Sequence, residues 1–109
     1  MGERVVKKAE EVKLIVFACE AGMGSSLMGA NQLKKMVKKA KLEIEVIHSP
    51  VAQIPAHADV IVTHKSLAPQ AKSAFPNAAV IPFMMFFGDP AVKGLVATLK
   101  KGDDVESVI

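Results

Sequence analysis

Lys13-Leu14-Ile15-Val16-Phe17-Ala18-Cys19 runs directly into Glu20-Ala21-Gly22-Met23-Gly24-Ser25-Ser26. The first stretch is a continuous apolar run bounded by charge, rich in branched and aromatic residues, and short enough for a strand buried on both faces. Two glycines one residue apart then demand a tight turn. Ser25 or Ser26 caps the helix that follows, whose apolar positions Leu27, Met28, Leu33, Met36 and Val37 recur at helical spacing up to Lys41. Strand, glycine loop and helix open a parallel βαβ unit.

The rest of the chain repeats that alternation. Leu42 to His48 alternates apolar and charged residues, as a strand with one exposed face does, and Ser49-Pro50 ends it. Val51 to Ala58, bracketed by Pro50 and carrying Pro55, reads as an irregular crossover with at most a short helical turn. Asp59 to His64 is a third strand, Ser66 begins a short helix through Ala74, and Ala79 to Phe83 is a fourth strand. Asp89-Pro90, cap plus first-turn proline, opens a last helix towards Lys101, and Gly102 stops it. Strands alternating with helices imply parallel pairing through right-handed crossovers. The expected fold is therefore a three-layer α/β domain: a four-stranded parallel sheet, helices on both faces, and a phosphatase-like phosphate-binding loop after the first strand. Residues 13–101 make the domain, 1–12 an N-terminal extension, and 102–109 a C-terminal tail without a structural assignment.

Composition narrows the class. The chain has 109 residues, half of them hydrophobic, which suits one domain with a core of its own. One cysteine forms no internal disulfide, so a cystine-stapled secreted fold is excluded and a cytoplasmic setting fits. No targeting segment is visible at the N-terminus. The longest apolar run, Ala78 to Gly88, contains Pro82 and falls far short of the ~20 residues that span a bilayer. Direct membrane insertion is not expected. A net charge of +3 without Trp or Tyr argues against nucleic acid, because bases would find little to stack on. Lys34, Lys35, Lys38, Lys39 and Lys41 read as the solvated end of a helix, where cations oppose the dipole; the sharper reading is a landing surface for an acidic partner.

In parallel sheets ligands bind beyond the carboxyl ends of the strands. That rule gathers Cys19 and its loop, His48 with Ser49, His64 with Lys65, and the segment from Phe83 to Asp89. The loop is a phosphate cradle by construction. Its glycines let successive amides turn inward, and the following helix adds unpaired N–H groups and a positive dipole end. The same field favours thiolate over thiol at Cys19, so a nucleophile and an anion site coincide. A nucleotide P-loop is excluded, because no Gly-x-x-x-x-Gly-Lys run exists. A dinucleotide site lacks its third glycine, and His48-Ser49 stands where an acid would close the second strand. A cysteine that is only a small buried hydrophobe leaves the glycines and serines without a purpose. His, Cys and carboxylates show no metal-ligand spacing, so neither metal nor cofactor is expected.

Val16 to Ala30, with Cys19-Glu20-Ala21-Gly22-Met23-Gly24-Ser25-Ser26 at its centre, closely resembles the phosphocysteine loop of the mannitol-type IIB domain of the bacterial phosphoenolpyruvate-dependent sugar phosphotransferase system. Asp59 to Leu67 resembles that family's third strand and the start of its next helix, in the same order and spacing. The resemblance runs from about Lys13 to Asn77; ascorbate-type IIB proteins share the Cys-x-x-Gly-Met-Gly-Ser-Ser core. It implies a phosphoryl relay in the cytoplasm, at the inner face of the membrane. Cys19 would accept the group from a phosphohistidine on a IIA protein or domain and pass it to a sugar or polyol, mannitol-like, held by a membrane IIC permease. Carried over by position, Glu20, Ala21, Gly22, Met23, Gly24, Ser25 and Ser26 form the phosphate-binding loop, with Glu20 standing where the family usually has Asp and expected to point outward. His64 and Asp89 are accessory candidates, ahead of His48 and His57. The cluster Phe83 to Phe87 reads as core, or as an adaptable docking surface beside the active edge.

The same loop geometry belongs to low-molecular-weight tyrosine phosphatases and arsenate reductases, the principal enzymatic alternative. Those enzymes need an arginine six positions after the cysteine, where this chain has Ser25. Asp89-Pro90 is similar to their general-acid Asp-Pro, but the dipeptide is better read as a helix start, which needs no catalytic explanation. A third class is a regulatory module that reads phosphorylated partners without carrying phosphate.

Overall fold

The computed structural model describes residues 6–19, 24–84 and 90–106. Its elements are β1 (Val6–Lys7), β2 (Leu14–Cys19), α1 (Gly24–Lys39), β3 (Glu45–Pro50), β4 (Val60–His64), α2 (Ala68–Ala74), β5 (Ala79–Phe83), α3 (Pro90–Lys101) and β6 (Val105–Glu106). Single 3-10 turns occupy Ala9–Glu11 and Val51–Gln53. β3, β2, β4 and β5 lie in that order in one sheet, every pair parallel. The expected four-stranded parallel α/β architecture is what the chain adopts.

The apolar run of β2 is central because both of its faces are covered. Ile15 and Phe17 join Ala30, Leu33 and Val37 of α1 and Leu95, Val96 and Leu99 of α3 in one core cluster. Leu14, Val16 and Ala18 face the other way, against Ala68 and Ala71 of α2 and against Val51, Ile54 and Ala58 of the crossover. Three layers result, with α1 and α3 on one face and α2 on the other.

Several boundaries differ from the sequence expectation, each for a local reason. α1 begins at Gly24, so Ser25 and Ser26 lie in its first turn and neither caps it. First-turn N–H groups have no intrahelical acceptor, a setting that tolerates serine. At its other end α1 stops at Lys39, and Lys41 adopts φ 59°. The Leu42 N–H then reaches the Val37 carbonyl and the Lys41 N–H the Lys38 carbonyl, a Schellman closure with lysine where glycine is usual. The same closure ends α3, with Gly102 at φ 77°.

The second sheet strand runs Glu45–Pro50, not Leu42–His48, because its register is set by β2: Leu14 pairs with Glu45 and Cys19 with Pro50. Leu42 and Ile44 instead pack as partly buried residues against the α1/α3-side core. A terminal proline is tolerated on this edge strand. The third strand starts one residue late, at Val60, because Asp59 serves as a clamp. Its carboxylate accepts from the N–H groups of Lys13, at 2.8 Å, and Leu14, at 3.1 Å. α2 starts at Ala68 instead of Ser66, since the Ser66 N–H is taken by the His64 ring and residues 65–67 form a turn.

The two chain ends, for which the sequence offered no element, pair with each other. β1 and β6 form an antiparallel ribbon, Val6 opposite Glu106 and Lys7 opposite Val105. Val12 and Val105 are both buried in the core on the α1/α3 face.

Of the described glycines, Gly29 of α1 has the closest neighbours. A Cβ there would lie 2.7 Å from Cζ of Phe17, whose ring is 1% exposed and stacked on Phe83 at 5.0 Å. The ring has nowhere to retreat. Gly94 of α3, by contrast, has open space around it. The same substitution therefore takes opposite signs: Gly94→Ala gains about 0.5–1 kcal/mol of helix propensity, while Gly29→Ala loses more to overpacking, about 1–3 kcal/mol, than it gains. Urea unfolding midpoints are expected to rise for Gly94→Ala and fall for Gly29→Ala. Adding Phe17→Leu is expected to recover part of the Gly29→Ala loss in a double-mutant cycle.

Candidate functional site

Cys19 is the last residue of β2, at the carboxyl end of a strand flanked on both sides. α1 begins at Gly24, five residues on, and runs back along the sheet with its N-terminal turn at the same edge. Gly24, Ser25 and Ser26 thus belong to a helical first turn whose amides lack intrahelical acceptors and whose dipole end is positive. Glu20, Ala21, Gly22 and Met23 lie outside the described residues, as does Asp89. Pro90 is the first residue of α3, the position that the helix-start reading assigned it.

Strand register decides which histidine belongs to this edge. The β2–β4 ladder ends at Ala18 opposite Thr63, and Cys19 and His64 are the next residue of each strand. His64 in turn pairs with Phe83, and their rings meet edge-on, with centroids 5.8 Å apart and planes at 87°. The Ser66 N–H donates to His64 Nδ1 at 3.1 Å, and Ser66 Oγ lies 2.8 Å from the same nitrogen. His48 pairs with Phe17, two residues back from Cys19, because β3 extends to Pro50. His57 sits in a turn at the opposite edge of the sheet, lining a hollow with Lys7, Asp59 and Asn77. His64 lies one residue beyond the β4 partner of Ala18, and His48 one residue before its β3 partner.

Phe83, the first residue of the aromatic cluster, is core, whereas Met84 is 68% exposed. Met85, Phe86 and Phe87 are outside the described residues. Met84, Lys65, Ala68, Pro69 and Pro82 line an apolar groove on the α2 side of the edge strand β5.

The family model for the PTS system, Lactose/Cellobiose specific IIB subunit, matches residues 14–98, from the first residue of β2 into the last turns of α3. The chain belongs to this family. The IIB domain is also similar to longer curated proteins. It is 46% identical over 92 residues to the PTS system mannitol-specific EIICB component of Bacillus subtilis (strain 168), covering 84% of this chain and 19% of that protein. To the EIICB component of Halalkalibacterium halodurans it is 47% identical over 93 residues, 85% of this chain and 20% of the relative. To the mannitol-specific cryptic EIICB component of Escherichia coli (strain K12) it is 43% identical over 84 residues, 77% and 18%. The chain spans about a fifth of the length of these relatives. Among the described residues, no helix is long and apolar enough to cross a membrane.

In the IIB domain the five lysines are exposed on the last turns of α1 and just beyond it. At 1.5 Å per residue, Lys34 to Lys39 stand roughly 15–22 Å along the helix from Gly24. They occupy the end remote from Cys19, which fits cations opposing the helix dipole.

Two polar residues near Cys19 were not singled out from the sequence. Ser66 holds the His64 ring, a role that the His-x-Ser spacing hints at. Thr63 has no such signal. Its side chain is 0% exposed, and Oγ1 has no hydrogen-bond partner among the described residues. A buried orphan hydroxyl loses its hydration without compensation. Thr63→Val keeps the branched shape and removes the orphan. It is expected to stabilise the domain by about 1 kcal/mol, read as a higher urea midpoint with unchanged slope; a lower midpoint would mean that the hydroxyl is satisfied.

Proposed function

We propose that this IIB domain is a phosphocarrier: Cys19 takes a phosphoryl group from a phosphohistidine on a IIA protein or domain and gives it to a mannitol-like polyol bound by a membrane IIC component, at the cytoplasmic face. The observation that carries the reading is the position of Cys19, at the carboxyl end of a central parallel strand and five residues ahead of a helix N-terminus, in a domain of the IIB family. The polyol follows from relatives whose names read mannitol-specific EIICB and which are 43–47% identical over 77–85% of this chain. Those names join a C and a B component, which supports IIC as the site of the acceptor.

The chemistry is two in-line displacements. The Cys19 thiolate attacks phosphorus, an S–P bond forms, the N–P bond breaks, and the electron pair returns to the donor imidazole. In the second step a polyol hydroxyl oxygen attacks the same phosphorus and loses its proton, while the S–P pair returns to the thiolate. Amides from Ala21 to Ser26, with the hydroxyls of Ser25 and Ser26, would hold the anionic oxygens in both steps. Glu20 would point outward, since an anion beside the phosphoryl group is unfavourable.

Ser25 favours a carrier over a phosphatase. A bidentate arginine in that place would match two oxygens of the transferring group; a serine offers one neutral donor. Loss of such a contact typically lowers turnover about a hundredfold or more. Phosphoenolpyruvate, the general phosphotransferase proteins and a cognate IIA are expected to label wild type and to leave Cys19→Ser unlabelled. Aryl phosphate hydrolysis is expected to be poor. Label persisting on Cys19→Ser, or robust Cys19-dependent hydrolysis by wild type, would overturn the assignment.

A further inference from the structure

We propose that the acid-free end of α1 is a membrane-facing surface: Lys34, Lys35, Lys38, Lys39 and Lys41 hold the domain, by charge alone, against a bilayer rich in anionic phospholipid. The inference adds to the phosphocarrier reading and does not depend on it. Residues 21–42 contain no Asp or Glu, and all five lysines are exposed. None of the five ammonium groups has an ion pair among the described residues. Helix geometry gathers them on one side. At about 100° per residue, Lys34, Lys35, Lys38 and Lys39 fall within an arc of about 140° turned away from the buried Leu33 and Val37. Lys41 follows just past the end of the helix.

The helix dipole accounts for only part of this cluster. Its influence falls off within the last turn, which holds Lys38 and Lys39. Lys34 and Lys35 lie further back, and each repeats its charge four residues on, at Lys38 and Lys39, an arrangement that costs stability in a helix. The end of α3 shows the contrast. Exposed Lys100 and Lys101 close that helix, and exposed Asp103 and Asp104 follow at once and offset them. Beyond α1 the next acids are Glu43 and Glu45, both exposed, and neither is ion-paired to any of the five lysines.

The make-up of the face selects the partner. Protein interfaces draw most of their binding energy from Trp, Tyr and Arg anchors, and lysine is depleted there. Residues 21–42 contain none of those anchors, and Met36, Ala40 and Leu42 pack against the core. Nucleic-acid bases would likewise find nothing to stack on. A lipid surface asks only for cations close to its phosphates, and a cluster of about four to eight on one helix meets that need. Lys34 to Lys39 stand roughly 15–22 Å along α1 from Gly24, further than the Debye length of about 8 Å at physiological salt. A bilayer held at the lysines therefore does not reach the Cys19 edge. Such a hold is weak and reversible, so the domain stays at the surface and remains able to turn.

Cosedimentation of the full chain with extruded vesicles measures the contact. At about 0.1 M salt the protein is expected to bind vesicles of phosphatidylglycerol mixed with phosphatidylcholine and to ignore phosphatidylcholine alone; about 1 M salt, where the Debye length shrinks to ~3 Å, is expected to release it. Lys34→Gln with Lys38→Gln exchanges lysine for a comparable helix former, so the fold is kept. Its partition coefficient is expected to fall about 25-fold, at roughly fivefold per lysine. Lys100→Gln with Lys101→Gln removes the same charge from the offset end of α3 and is expected to stay within about threefold of wild type. Indifference to anionic vesicles, equal binding to neutral ones, or equal losses in the two variants would overturn the proposal. Binding of a poly-glutamate peptide without binding of vesicles would overturn it in favour of an acidic protein. The assay has no phosphoryl step, so failure here leaves the labelling of Cys19 untouched, and failure to label Cys19 leaves this contact standing.

Discussion

The contact between the Phe17 ring and the backbone of Gly29 is the constraint on which the working end of this domain depends. Without a Cβ at residue 29, α1 comes close enough to β2 for the ring to lie against the helix itself. That approach fixes where the first turn of α1, starting at Gly24, stands relative to the end of β2 at Cys19. Phe17 also stacks on Phe83, two strands away, so one ring ties the helix to the central strand and to the edge strand β5. The His64 ring stands edge-on to the same Phe83. Helix N-terminus, Cys19 and His64 are thereby positioned by a single aromatic pair.

The two edges of the sheet are treated differently. At the amino edge polar groups are engaged: Asp59 takes two strand amides, its own N–H reaches the Leu14 carbonyl, and the Glu45 N–H reaches the Lys13 carbonyl. Hydrogen bonds to an ionised acceptor are worth more than neutral ones, so this edge is well anchored. The carboxyl edge carries the buried hydroxyl of Thr63 with no partner among the described residues.

Much of this was legible in the sequence because it is local. Leu14 to Ala18 are buried on both faces, Ala79–Phe83 is a strand with the expected bounds, and Pro90 opens α3. The errors came from interactions that local patterns do not contain. β3 starts three residues and ends two residues later than expected because β2 dictates its register, and α2 started late because a histidine ring had already taken the Ser66 amide. The β1–β6 ribbon joins residues a hundred positions apart through two-residue strands, too short to carry a period. At the site, the candidacy of His64 was visible, but the Ser66 amide and hydroxyl that meet its Nδ1 were not. His48 looked like an edge residue only while its strand was thought to end there.

A carrier and a hydrolase face the same phosphorus with the same nucleophile, and what separates them is how the surrounding donors are charged and which of them accepts a proton. A guanidinium in the first turn would stabilise a dissociative transition state whichever nucleophile arrives, water included. On the phosphocarrier reading, Ser25 withholds that general assistance, so the rate comes to depend on a well-placed acceptor hydroxyl, which a binding partner supplies and bulk water does not. On that reading, serine in the place of arginine lowers the chance that the phosphoryl group is lost before it is passed on.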